Sequence, residues 1–598
     1  MKRRLPILLL FRSSAENSFA KYLLEILAIE GYFFVETWNL SEEDDLNDLL
    51  AGRPLVILAH ISLTSRQIDA LKSYVKNGGN LIASRPPKEM VDIFGVKPIR
   101  GHYNLARDCF VVINHNEPLM AGFPASSLQF FGDADVYEPK NSRVLAWLSA
   151  IPHRRTPYAT ITLAKYGRGQ TALFAYNLEE TIVTLHQGRP ENASTGINRD
   201  ADRSGMFKTT SLHVKVLDER LKMLPQADLH QDILVRLIRA MTESALPIIR
   251  VWHFPYEQPA VALIDGDSDM MEQRDLLRLL DIAEHYKARY TIYLMKEHFK
   301  HITPDLMRRL QKMGHDIGVH PWPGTYRPSL EEMKKALNDI CREFEERFGF
   351  KARSSRMHGV IWAGWVESAK YMADNGLRMD TSFTPGRYYQ EGFICGSGLP
   401  FKFIDENGEI IDLYEQATIE GDDILFTLKS LLPPLMEEEA IEHAIDMIDR
   451  CISAYHCVYH PYYHPIRTRR EFQGTRRLKE VLSWLKRRGV LTVNSAEWID
   501  FNDARRALRF FLEDIDENEG LVSYQIIAQN AILGVTMMMP STWRGSRLKE
   551  VLIEDSPVDL KFVRWEGGLE WGVFTLNLHS NQQLRITCKY DIKNVENG

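Results

Sequence analysis

Between Ala260 and Asn494 short apolar runs alternate with longer segments of helical period, and four of the runs end on ionisable residues. The runs are AVALI, YTIYLM, DIGVH, ARSSRM, HCVYH and VLTVN. Between them the apolar spacing predicts helices over Arg274–Tyr286, Pro304–Met313, Leu330–Phe348, Val366–Asn375, Glu437–Tyr455 and Thr475–Arg488. Strands joined through helices must lie parallel, and repeated units of this length imply a barrel. In such barrels the chemistry collects where the strands end. Asp265-Gly266-Asp267 closes the first run, His320 the DIGVH run, Arg356 and His358 the ARSSRM run, and His460 the HCVYH run.

These residue types suit one kind of chemistry. Hydrolysis of an unactivated amide needs a nucleophile stronger than neutral water, which a divalent metal supplies. Asp and His hold zinc or a similar ion. A further carboxylate is needed as base, and an acid must protonate the departing amine.

The flanks differ from this centre. At 598 residues the chain exceeds a single core. Ile7–Phe11, Phe33–Val35, Leu55–Ala59 and Asn80–Ser84 are expected strands, alternating with helices over Ser18–Ile29 and Ser65–Lys76, and Tyr166–Asn177 is an expected closing hairpin. That alternation predicts a doubly wound α/β domain over residues 1–180. Residues 181–258 are expected to form a connecting arm, with a long excursion over Leu178–Gln226 and a helix over Leu229–Ser244. The barrel takes 259–504, and from 505 to 598 the period becomes two, as in a small β-sandwich. The expected class is therefore α/β multidomain, with a doubly wound N-terminal domain, a distorted (β/α) barrel and an all-β C-terminal domain.

The net charge of -7 leaves no basic footprint for nucleic acid. Six scattered cysteines form no CxxC pair and read as reduced core thiols. The apolar run Leu5–Phe11 is broken by Pro6 and ended by Arg12, which predicts a first strand rather than a secretory leader. No run approaches the roughly 20 apolar residues of a membrane span, so the expected location is cytoplasmic.

LIDGDSD, MGHDIGVHPW, SSRMHG, LRMDTSF and CVYH, in that order over some 240 residues, resemble the motif set of the polysaccharide deacetylases (carbohydrate esterase family 4). The resemblance implies metal-dependent removal of acetyl groups from an N-acetylated sugar or glycan. A small non-sugar amide, or a non-catalytic carbohydrate-binding scaffold, are the alternatives. It implies Asp265 as general base, Asp267 and His320 as ligands of a divalent metal such as zinc, Arg356 holding the base ionised, Asp380 beside Arg356, and His460 as general acid. Two departures stand out. Gly266 separates carboxylates that touch in the family, which leaves base and ligand exchangeable among Asp265, Asp267 and Asp269. Gly324 occupies the place of the second metal histidine, so the third ligand is expected from His358, with His464 as the alternative.

GGNLIAS followed by YGRGQTALFA resembles the class I glutamine-amidotransferase-like fold, but Ser84 stands where those enzymes carry cysteine and the elbow glycines are missing. The resemblance implies a structural or assembly role, and by analogy self-association as a homodimer or trimer. Of the remaining polar residues, His315 is expected behind the metal site. His298 and His301 are expected in solvent, and Asp422-Asp423 in a loop. Trp322, Trp362 and Trp365 offer flat faces for a sugar ring or for core packing.

Overall fold

The computed structural model describes residues 4–13, 17–99, 105–195, 206–426, 433–565 and 567–591. The expected excursion over Leu178–Gln226 lies partly outside them, at 196–205.

The centre is a curled nine-stranded sheet. Its order is Phe401–Ile404, Ile410–Glu415, Met379–Asp380, Ser354–Ser355, Asp316–Val319, Thr291–Leu294, Asp265–Asp267, Pro461–Tyr462 and Glu420–Gly421. All pairings are parallel except the first. The helices fall close to expectation. Leu330–Phe348 opens on a capping box between Ser329 and Glu332, closes on left-handed Gly349, and buries Met333, Leu337, Ile340 and Phe344 along one stripe. The helix begun at Glu437 ends at Arg450 and continues as a π-turn, Cys451–Tyr455.

The barrel closes without strand pairing at its seam. Ile410–Glu415 lies near one end of the sheet and Glu420–Gly421 at the other. The intervening residues bridge the gap: the Gln416 N–H donates to Asp380 O at 3.0 Å and the Ile419 N–H to His460 O at 2.8 Å. Backbone groups that a regular barrel would satisfy by a ladder are thus satisfied singly.

Among the described residues the N-terminal sheet has eleven strands. Val35–Asn39, Ile7–Phe11, Leu55–Leu58, Asn80–Ser84 and Gly169–Phe174 run parallel, and the path continues antiparallel through Ala159–Tyr166, Ser142–Ser149, Phe110–Ile113 and Leu128–Gln129. The second strand begins where its expected range, Phe33–Val35, ends. Ser84 is buried, and its Oγ accepts the Leu178 N–H at 2.9 Å. The following Arg85 turns the chain at φ +38°, and its guanidinium approaches Asp135 and Asp133.

The arm is more ordered than an excursion. Helix Leu178–Gln187 starts where the Asn177 side chain accepts the Glu180 N–H, and the buried helix Gln226–Thr242 follows further on. From 508 onward two antiparallel sheets form. One contains Ile532–Pro540 and Trp571–Leu578, and it gains a strand from far upstream, since Arg250–Val251 pairs with Met538 and Met537. Arg505 ties the three regions together by donating to the carbonyls of Ala28, Ile29, Val251 and Trp252 at 2.8–3.2 Å.

Candidate metal centre and active site

The first strand sets the spacing of the carboxylates. Side chains of a strand alternate, so Asp265 and Asp267 share the inner face. A Cβ on Gly266 would lie 1.8 Å from Tyr463 O and 2.2 Å from the Tyr290 hydroxyl, which itself donates to that carbonyl at 2.7 Å. Only glycine fits, so the gap between the carboxylates is a demand of the neighbouring strand. The chain then leaves the sheet. Ser268 Oγ accepts the Met295 N–H at 2.9 Å and meets His298 Nδ1 at 2.9 Å, and Met270 turns at φ +52°. His298 therefore pins the carboxylate loop, contrary to its expected place in solvent.

Asp265 sits at the bottom with no exposed surface. Arg356 Nη2 donates to both of its oxygens, at 2.9 and 2.8 Å, and His460 Nε2 lies 2.9 Å from Oδ2. Arg356 also donates through Nε to Thr381 O and Oγ1, both at 3.1 Å, and lies between the rings of Tyr462 and Tyr293, 4.5 and 5.4 Å from their centroids. Burial opposes its charge, but the carboxylates of Asp265 and Asp267 more than compensate and raise its pKa. His460 Nδ1 is 3.1 Å from the carbonyls of Gln416 and Ala417, on the segment that closes the barrel. The base and acid expected from sequence thus hold each other and Arg356, and neither faces the mouth.

The grouping that faces outward differs from the expected Asp267, His320 and His358. Asp269, His320 and His358 each offer one ligand atom, all within 4.8 Å of one another. Asp269 Oδ1 is 3.3 Å from His320 Nε2, and Oδ2 is 3.4 Å from His358 Nε2. Asp269 supplies the carboxylate because the turn at Met270 carries it over the mouth, while Asp267 stays on the strand. Burial works against the charge of Asp269, yet the two imidazoles hold its pKa well below the usual range. His320 Nδ1 donates to Arg356 O at 2.7 Å, which holds the ring with Nε2 toward Asp269.

The site leaves polar atoms unpaired. Asp267 Oδ1, Asp269 Oδ1, His320 Nε2, His358 Nδ1 and Arg356 Nη1 are all buried without a hydrogen-bond partner. Orphaned buried groups are rare and costly. Two imidazoles and one carboxylate form a donor set suited to a divalent ion with open positions. The residues present fit such a metal.

Asp267 lies between two histidines. His320 Nδ1 is 3.9 Å from its Oδ1, His464 Nε2 is 4.0 Å from its Oδ2, and Arg356 Nη1 is 3.8 Å from Oδ1. Burial raises its pKa. Behind His464 stands Asp422, with Oδ1 2.6 Å from Nδ1 and Oδ2 accepting the His464 N–H at 2.8 Å. Burial disfavours the imidazolium, but Asp422 dominates and lifts its pKa to about 10. No local pattern marks this pair, since the partners stand 42 residues apart in the chain. The Asp422-Asp423 turn was expected to be a plain loop, and it opens a short helix instead.

Two other expectations need correction. Asp380 does not meet Arg356. Its carboxylate accepts from Ser355 Oγ at 3.0 Å and from Ser382 Oγ and N at 2.8 and 3.2 Å, so the following Thr381, not Asp380, reaches the arginine. His315 lies before the strand that His320 follows, at the far end of the barrel, and approaches Glu284 at 3.7 Å. Gly324 adopts φ +81°, a left-handed turn with open space where a Cβ would stand. Of the tryptophans, Trp322 packs edge-on to His358 at 4.9 Å. Trp362 and Trp365 are buried, with indole N–H groups given to Trp365 O and Gln187 O.

No family model matches the chain, and no curated protein matches it. Among solved structures, a provisionally assigned polysaccharide deacetylase from Mycobacterium smegmatis aligns at 15% identity over 46% of this chain and 99% of its own, with a TM-score of 0.33. A point variant of a peptidoglycan deacetylase from Bacillus subtilis aligns at 14% over 42% of this chain and 96% of its own, with a TM-score of 0.25. A β-galactosidase from Bacillus circulans sp. alkalophilus aligns at 14% over 30% of each chain, with a TM-score of 0.23, so this chain spans under a third of that enzyme. At these TM-scores the likenesses carry no functional weight. The amidotransferase-like resemblance finds no support among them. Among the described residues no helix is long and apolar enough to cross a membrane.

Proposed function

We propose that the protein is a metal-dependent hydrolase of acyl C–N bonds, acting on an N-acylated amine such as an acetylated amino sugar. One observation carries this reading: the unpaired polar atoms of Asp267, Asp269, His320, His358 and Arg356 converge at the ends of three strands within a run of four, Asp265–Asp267, Asp316–Val319 and Ser354–Ser355, with Thr291–Leu294 between the first two. Asp269, His320 and His358 would hold the ion. When bound, a divalent metal supplies Lewis acidity that polarises the acyl carbonyl and makes water nucleophilic near neutral pH.

The chain's own residues supply the proton transfers. Asp267 is the proton acceptor in this reading, because its Oδ1 is unpaired while both oxygens of Asp265 are engaged. Arg356 Nη1, 3.8 Å away, opposes the rise that burial imposes on the Asp267 pKa. His464, held protonated by Asp422, gives its Nε2 proton to the departing amine. Asp265 and His460 hold Arg356 in place.

Acetate release from N-acetylglucosamine and its oligomers by the metal-supplemented protein tests this. Release that is unchanged by Asp269→Ala would sink the assignment.

A further inference from the structure

We propose that the substrate enters end-on, as a free ring or the terminal ring of a chain, rather than lying across the barrel mouth as the interior of a polymer. This rests on the reading above and narrows its substrate to an acylated amine of single-ring size.

The observation behind it is a strap from outside the barrel. The Phe207 N–H donates to Tyr326 O at 3.1 Å, the Trp362 N–H donates to Phe207 O at 3.1 Å, and Thr209 Oγ1 donates to Ser382 O at 3.1 Å. Lys208 forms an isolated antiparallel bridge with Ile361. Tyr326, Ile361 and Ser382 belong to the connections that follow strands Asp316–Val319, Ser354–Ser355 and Met379–Asp380. The strap therefore runs across three consecutive strand ends. Its continuation meets that last connection again further along, where the Phe393 N–H donates to Lys222 O and the Ala227 N–H to Gly396 O, both at 2.7 Å.

Exposure falls off in the direction the strap dictates. The side chains of Asp269 and His358 are 27% and 26% exposed, those of Asp267 and His464 are 9% and 8%, and that of Asp265 is fully covered. Among the described residues of the cluster, the exposed side is the one formed by Asp269 and His358, with the partly buried Trp322 packed against His358. On that side a cavity of about 340 Å³ begins at His320 and Trp322 and runs beside Met295, Lys296 and Lys335 toward Ile340. Ligand pockets span about 300–1,000 Å³, so this volume holds one small molecule. A through-groove for a polymer needs an exit beyond the reacting carbon, and the strap occupies that place.

The test compares binding of N-acetylglucosamine and its hexamer to the Asp269→Ala protein by calorimetry, so that turnover plays no part. End-on entry predicts dissociation constants that agree within about threefold, because each chain presents one fitting end. Tightening of about tenfold or more with length would overturn the proposal, since added rings would then be making contacts. Absence of binding by either sugar would overturn it too. The hydrolytic reading stands or falls separately, on acetate release by the unaltered protein.

Discussion

His460 places Nε2 2.9 Å from Asp265 Oδ2, while its Nδ1 faces the carbonyls of Gln416 and Ala417 at 3.1 Å. Both ring nitrogens are committed, and Asp265 has given its other lone pairs to Arg356. A pair so engaged supports neighbouring groups, and its loss is felt first as instability.

Asp265→Ala leaves the Arg356 guanidinium buried without its main partner. Removal of one member of a buried ion pair costs about 3–5 kcal/mol. Thermal unfolding should show that loss. Asp267→Asn should instead lower the rate by about 10²–10⁴-fold, the range for a lost proton-transfer group, with a melting temperature close to that of the parent. The reverse pattern would return the base role to Asp265.

Metal content separates His358 from His464. His358→Ala or His320→Ala should strip the protein of tightly bound divalent metal in elemental analysis after dialysis. His464→Ala should retain the metal and lose rate. Adding Gly324→His to His358→Ala should not restore metal, because residue 324 sits in a left-handed turn with open space around it. Recovery of one equivalent in the double variant would contradict the assigned cluster.

Gly266→Ala should fail to fold, or fold only with the strand displaced, since no other residue can retreat from a backbone carbonyl at 1.8 Å. Expression with an unchanged circular dichroism melt would refute the close approach. Gly324→Ala meets nothing within 4 Å, and only its φ of +81° opposes it, at about 1 kcal/mol.

Acid should loosen the contact between the N-terminal region and the barrel. His186, His213 and His230 are fully buried, and burial drops their pKa to about 3, 4 and 4. His186 stacks on Phe401 at 4.0 Å, and His230 shares a hydrogen bond with Tyr176 at 2.9 Å. The folded values lie below the unfolded value of about 6.5, so the unfolded chain takes up protons first. Their contribution is intact above pH 6.5 and is lost as pH falls toward 4, on the order of 3 kcal/mol for each group by then. Melting temperatures between pH 7.5 and 4.5 should fall accordingly, and His230→Gln should flatten the slope.

The sequence made the barrel legible because its signals are local. Leu330–Phe348 was readable to the residue from Ser329, Glu332 and Gly349. The strand ends were readable because ionisable residues interrupt apolar runs. What escaped was set by geometry between distant segments. Asp269 reaches the cluster only because Met270 turns the chain, and Asp422 meets His464 across 42 residues of sequence. The segment Gln416–Ile419 has no pattern of its own, because its hydrogen bonds go to opposite ends of a sheet. The strap at Phe207–Thr209 looked like connecting chain, since its partners lie in the barrel loops.

The strand Arg250–Val251 has a temporal consequence. Its partners Met538 and Met537 are made roughly 290 residues later, which at about 5–20 residues per second is some 15–60 s of synthesis. During that interval the barrel can emerge and close while the linker that precedes it lacks its sheet. The ribosome-bound chain therefore carries a closed barrel behind a linker whose Arg250–Val251 segment stays unpaired until Ile532–Pro540 is made.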